Sequence, residues 1–195
     1  MARLLLAVLL TLVPLAAMAQ DAEDSADATS EQAAEQVYTA YDAANYGFTV
    51  ELPEGGRIDD PSTEGWTEEE QVAFRWLSDG TAPVDMIIGR VDKFQADIDD
   101  DMFNVFCDTL LENWSDEAKY TVVTSNRRIN IDPLTWNLIE VEDNKNPDSM
   151  EVYYSVFSMY SGSTVYSITM YYLESVSDEI QAFGIPVVYS FDLTE

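Results

Sequence analysis

Apolar residues recur at every second position in a series of stretches from Tyr46 to Leu173, and one long departure from that rhythm lies between them. From Asp101 to Lys119 they stand three and four apart instead, at Phe103, Phe106, Cys107, Leu110, Leu111 and Trp114. A period of two places one side of a strand against a core, whereas spacings of three and four build a single stripe on a helix. The chain is thus expected to be strand-rich with one amphipathic helix between two runs of strands. Asp99, Asp100 and Asp101 stand where an N-cap and first-turn acids belong, and Lys119 lies near the other end with the sign that the helix dipole favours.

The strands follow from the same reading. Tyr46 to Leu52 alternates cleanly and ends in the turn residues Pro53, Gly55 and Gly56. A polar loop runs through Asp59-Asp60-Pro61 to Gly65-Trp66. Further strands are expected at Gln71 to Leu77, with Val72, Phe74 and Trp76 on one side, and at Val84 to Val91, with Met86 and Ile88 on one face and Ile87 on the other. After the helix come Tyr120 to Ile131, Leu134 to Glu142, Met150 to Tyr160 and Thr164 to Leu173, the last two closing a hairpin around Ser161-Gly162-Ser163. A second helix is expected from Ser177 to Ser190, with Ile180, Phe183, Val187 and Phe191 as its apolar face and Pro186 kinking or splitting it. Strand runs joined by short turns imply antiparallel pairing. The expected class is α+β: one twisted antiparallel β-sheet with helices packed on it. No internal repeat is present.

The first nineteen residues read differently. Arg3, the apolar run Leu4 to Leu12, Pro14 and then Ala17-Met18-Ala19 form a signal-peptide pattern with cleavage expected after Ala19. No cysteine follows to carry a lipid anchor. Residues 20–44 are rich in acidic residues, alanine and serine, and are expected to be a flexible linker with at most a transient helix around Ser30 to Tyr41. Residues 45–195 are expected to form a single α+β domain. The mature protein is expected to be exported and soluble, periplasmic or secreted, with no transmembrane segment.

Charge and two rare residues exclude whole classes of function. The net charge is −28, with 37 acidic and 9 basic residues. That repels phosphate, so nucleic acid and anionic membrane surfaces are poor partners. Metal cations, basic proteins or a salty habitat suit it, and composition does not choose among them. The single cysteine, Cys107, allows no internal disulfide, so the core must hold the fold. The absence of histidine removes the serine triad, the cysteine–histidine dyad, histidine bases and histidine metal ligands.

The remaining constellations carry little chemistry. Asp97, Asp99 and Asp101 alternate as in a calcium loop, but Met102 and Asp108 occupy the positions where an EF-hand needs glycine and glutamate. Helix capping explains the run; whether the three also bind a cation stays open. Glu68 to Glu70 and Asp59-Asp60 are acidic clusters without a readable pairing. Cys107 lies on the apolar stripe and reads as a core residue. Arg127-Arg128 reads as one side of a local ion pair. Asn113-Trp114-Ser115 fits the glycosylation triplet but falls inside the expected helix. Tyr153, Tyr154, Tyr160, Tyr166, Tyr171 and Tyr172 gather on the last hairpin, where aromatic residues pair across strands. No glycine-rich phosphate loop occurs, and no catalytic, cofactor-binding or metal-binding residue and no cofactor is assigned.

Three places in the chain resemble the PsbP-like superfamily. They are the opening strand Tyr46 to Leu52 ending in Pro53, the loop reaching Gly65-Trp66, and the strand Val165 to Thr169 followed by a helix closing on Tyr189-Ser190-Phe191. The resemblance spans residues 45–195. It implies an α/β/α sandwich around an antiparallel sheet, and members that mostly bind proteins without shared catalytic residues: an extrinsic photosystem II subunit, a nuclear-import factor that binds a small GTPase, and small exported bacterial proteins. The function expected is a non-catalytic exported binding or accessory protein, not an enzyme, whose partner is another exported or envelope protein. The alternative is a periplasmic small-molecule or cation-binding protein.

Overall fold

In the computed structural model of the protein, the residues described are 36–59, 72–80, 82, 84–131, 133–143, 152–173 and 183–194. The expected signal peptide 1–19, the linker as far as residue 35, the acidic run Glu68 to Glu70, the turn Asn144 to Pro147 and the start of the helix expected from Ser177 lie outside them.

Among the described residues the chain runs β1 (Tyr38–Ala43), a short 3-10 turn (Ala44–Tyr46), β2 (Phe48–Pro53), β3 (Arg57–Asp59), β4 (Val72–Leu77) and β5 (Val84–Lys93). Then come α1 (Asp100–Glu112), β6 (Tyr120–Ile131), β7 (Leu134–Asp143), β8 (Val152–Ser161), β9 (Thr164–Leu173), α2 (Ile185–Tyr189) and β10 (Asp192–Leu193). Seven strands form an antiparallel sheet in the order β3-β4-β5-β9-β8-β7-β6. The other three form a smaller sheet, β1-β2-β10, also antiparallel. The α+β class stands, and the helices lie against antiparallel sheet as expected.

Four details differ from the sequence reading. The first strand does not join the main sheet: β2 pairs with β1 and β10 to make the second, smaller one. Residues 38–43, counted with the flexible linker, form β1. Its inward residues are Tyr38, Tyr41 and Ala43, spaced three and two apart, so strict alternation does not reveal it. Tyr38 Oη donates to the Phe183 carbonyl at 2.7 Å, and the Tyr41 ring stands 5.3 Å from that of Phe74. β3 lies inside the expected polar loop, where Asp59 is buried between Arg57 (Nε–Oδ1 3.2 Å) and Arg75 (Nη2–Oδ2 2.8 Å). Finally, α1 stops at Glu112. Asp116 takes over the local hydrogen bonding, accepting from Ala118 N at its side chain and from Lys119 N at its carbonyl, and Lys119 pairs with Asp116 instead of capping the helix.

Aromatic residues join the two sheets into one core. Phe48 of β2 stacks on Phe191 (4.9 Å) and meets Tyr166 (5.9 Å) and Phe74 (6.3 Å) from the large sheet. Phe191 also packs edge-on to Trp136 at 5.1 Å. Trp76 Nε1 donates to the Pro53 carbonyl at 2.9 Å, a bond from one sheet to the other. Gly89 leaves room for the Phe74 ring, which a Cβ there would overlap. In α2, Pro186 sits in the first turn, where its missing N–H costs nothing, and Phe183, Val187 and Phe191 are buried as the expected apolar face requires. Because Phe48 is the ring through which the small sheet reaches both Phe74 and Phe191, Phe48→Ala is expected to cost about 3–5 kcal/mol of stability. Denaturant unfolding checks this: a loss under about 1 kcal/mol would show that the two sheets do not share a core.

Candidate functional site

The opposite face of the large sheet is covered by α1. The helix is placed by its N-terminal end. Asp99 accepts from Met102 N at 2.9 Å as the N-cap, Tyr160 of β8 donates to Asp100 at 3.0 Å, and Ile98 N bonds to the Gly162 carbonyl in the β8–β9 turn at 2.8 Å. Phe103 and Cys107 pack with Ile98 and Val165; farther along, Leu110, Leu111 and Trp114 lie against Ile139, Val141 and Val156. These contacts seat the helix over β7, β8 and β9. Thirteen residues of helix span about 20 Å and cover a width of about 10–12 Å. Seven strands spread over about 29 Å. The helix leaves β4 and β5 uncovered.

A cavity of about 310 Å³ follows from that shortfall. Its floor is the alternating outward row Ile88, Arg90 and Asp92 of β5 beside Ser167, Thr169 and Tyr171 of β9, with Ile88 opposite Thr169 and Arg90 opposite Ser167. Phe106, Leu110 and Trp114 of α1 and the turn after it form the wall. A second cavity, about 570 Å³, lies beyond Trp114 toward β6, between Leu111, Trp114 and Glu117 on one side and Tyr120, Thr121, Val122 and Ser125 on the other.

The groove is apolar with a few polar groups, the usual make-up of a binding site. Arg90 is exposed, and among the described residues no carboxylate lies within ion-pair distance of it, Asp92 included. Burial raises the Asp92 pKa above the usual carboxylate range, and the nearby Arg90 charge offsets part of that. Burial likewise raises the Tyr171 hydroxyl, with Arg90 again opposing. Ser167 Oγ shares a hydrogen bond of 3.0 Å with Ser158 Oγ, which is no base. Such a groove can hold a ligand by shape, aromatic contact and one guanidinium.

The residues singled out from sequence fall around this site without forming it. Asp97, Asp99 and Asp101 do not converge; Asp99 caps α1, and among the described residues no group of three or more cysteine or acidic side chains could hold a metal ion. Cys107 is buried on the helix stripe, its thiol raised by burial with Arg128 opposing. Arg128 does not make the expected ion pair among the described residues. It bonds to the Asn104 amide oxygen and lies over the Phe103 ring at 4.8 Å, so it pins β6 to α1. Asn113 is exposed at the end of α1 instead of inside a longer helix. The tyrosines pair across strands as expected: Tyr153 with Tyr172 at 5.8 Å and Tyr154 with Tyr171 at 4.9 Å, while Tyr166 belongs to the core. Sequence reasoning missed Arg90, Asp92, Thr169 and Trp114 as neighbours. The one available signal was Ile88 and Tyr171, apolar residues on the nominally outer face of two central strands. Among the described residues no helix is long and apolar enough to cross a membrane.

No protein-family model and no curated protein matches the sequence. Solved structures do match the fold. The solution structure of cyanobacterial PsbP (CyanoP) from Synechocystis aligns with a TM-score of 0.56 at 12% identity, over 80% of this chain and 92% of that one. LpqN of Mycobacterium tuberculosis, involved in cell envelope biogenesis, aligns with a TM-score of 0.50 at 12% identity, over 82% and 92%. A Bacteroides thetaiotaomicron protein aligns with a TM-score of 0.52 at 8% identity over 83% of this chain, which spans about half (49%) of that protein. At such identities the likeness is one of architecture, and the architecture is the PsbP-like fold.

Proposed function

We propose that the protein is a non-catalytic, exported binding or accessory protein, and that it recognises its partner through the groove between α1 and the floor formed by β5 and β9. The observation that carries this reading is the groove itself: an apolar and aromatic hollow beside Arg90, which has no ion-pair partner among the described residues, on a sheet face that α1 covers only in part. The signal-peptide pattern of residues 1–19 supports export. The fold shared with LpqN, a protein of cell envelope biogenesis, supports a place in the envelope or beyond it. The acidic composition favours a partner whose contact surface is neutral or basic around an anionic or hydrogen-bonding group for Arg90. A small ligand held in the same hollow is the second reading, favoured by the cavity volume of about 310 Å³, the low end of small-molecule sites.

Thr169 lies in the centre of the groove floor, half-buried and opposite Ile88 and Val156. Thr169→Arg fills the hollow without opening a void. Binding of a component from the exported fraction, or of a small-molecule hit from a thermal-shift screen, is expected to weaken at least about tenfold in this variant, with the melting temperature nearly unchanged. Undiminished binding would move recognition elsewhere. Turnover of a metabolite by the purified protein, lost on a single replacement, would contradict the non-catalytic reading.

Asp92 supplies a pH test. Its folded pKa is raised, so its charged form weakens the fold at neutral pH, and that penalty disappears as the pH falls through the folded pKa toward the ordinary aspartate range. Asp92→Asn is expected to raise the melting temperature at pH 7 and to give no gain near pH 3. A gain that does not vary with pH would show that the carboxylate is not desolvated in the groove.

A further inference from the structure

β6 ends the large sheet. It is twelve residues long, and among the described residues no strand lies beyond it. Over Arg127 to Ile131, where no described strand pairs with it, the outer edge offers backbone N–H and C=O groups that a strand from another molecule can bond. Register breaks between Val122 and Thr124 and between Thr124 and Arg127, with Asn126 at φ +48°, interrupt that edge. What remains regular is Arg127 to Ile131, five residues paired in step with Leu138 to Leu134.

Charge and shape on the two parts of this edge differ. The strand carries two arginines and no acid, in a chain with 37 acidic and 9 basic residues. Arg128 is occupied by Asn104 and the Phe103 ring. Arg127 is exposed, and among the described residues no carboxylate reaches it. Beside the first part of the strand lies the cavity of about 570 Å³ at Trp114, with Val122 on its wall. The β7 partners of Val122 and Arg127 are Val141 and Leu138, three residues apart, or about 10 Å along a strand.

We propose that the β6 edge docks an extended, acidic segment of a partner protein. The segment adds a strand along Arg127 to Ile131, sets a carboxylate on Arg127, and places a bulky apolar side chain, about three residues away, in the cavity beside Trp114. Main-chain bonds supply the attachment, and the charge and the cavity supply the selection. A second copy of this chain is a poor occupant. Pairing two β6 edges sets arginines near arginines and brings together two bodies of net charge −28. The arginines and bulges that blunt the edge against its own kind are the features that admit an acidic strand.

The test is a synthetic peptide alternating glutamate and valine with one leucine, titrated into the full-length protein and followed by amide exchange. Saturable binding is expected, with slowed exchange at Arg127 to Ile131 and weakening as salt rises. Arg127→Glu is expected to reduce affinity about tenfold or more while leaving the melting temperature unchanged, and to gain affinity for the matching lysine–valine peptide. Val122→Asp, which alters the cavity alone, is expected to weaken the leucine peptide but not one with alanine in its place. Equal binding of the acidic and basic peptides, protection mapped elsewhere, or an edge already consumed in a dimer by sedimentation would each overturn the proposal. So would loss of the peptide in Thr169→Arg, since that places it in the groove; retention there separates this surface from the one proposed above.

Discussion

The seven-stranded sheet has two sides to shield from water and unequal means of doing so. On one side the small sheet and α2 bring Phe48, Val187, Val188 and Phe191 against Phe74, Trp76, Trp136 and Ile168, and every one of those side chains is buried. On the other side, among the described residues, the thirteen-residue α1 does the same work over three of the seven strands. Apolar burial is roughly proportional to area, so the first side carries most of the stabilisation and the second is left with a margin of half-buried residues such as Ile88 and Tyr171. The groove lies on the β5 side of α1, and the second cavity beyond Trp114 and the β6 edge lie on its other side.

This asymmetry explains how a chain without disulfides holds an open binding face. On the first side the aromatic contacts run from sheet to sheet, and the Trp76–Pro53 hydrogen bond closes the same layer. The helix side is fastened at a few points, namely the Asp99 cap, the Tyr160–Asp100 bond and Arg128 on Asn104 and Phe103. A surface fastened at points keeps exposed area for recognition, which fits a protein whose proposed work is contact and not turnover. The acidic composition belongs to the same picture. A net charge of −28 disfavours self-association, and against it the cations at Arg90 and Arg127 stand out locally.

Much of the large sheet was legible because its residues alternate. Val84 to Val91 and Thr164 to Leu173 announce their two faces in the sequence, and the structure pairs them in step from Met86–Tyr171 to Lys93–Thr164, with one register break at Val84. The same logic located the α1 stripe from Phe103 to Leu111. What escaped were elements too short or too irregular for a period. β1 spaces its inward residues unevenly, β3 is three residues long, and β10 is two. Their pairing depends on partners far away in the chain, such as Asp192 with Thr49. The candidate site was illegible for a related reason. Arg90 and Thr169 become neighbours only through the β5–β9 pairing, and the hollow above them lies where α1, seated over β7 to β9 and ending at Glu112, seven residues short of Lys119, leaves β5 uncovered. A missing turn of helix is a packing outcome, which periodicity does not encode.

The claim on which the rest stands is that the margin of the sheet beside α1 is open in the free protein. Hydroxyl-radical labelling of the purified, unbound chain, read at each aromatic residue, addresses it directly. Trp114 and Tyr171 are expected to label readily, while Trp76 and Trp136, at 1% and 0% exposure, stay protected. Protection of Trp114 and Tyr171 equal to that of Trp136 would mean that the groove is filled, and the account would be wrong.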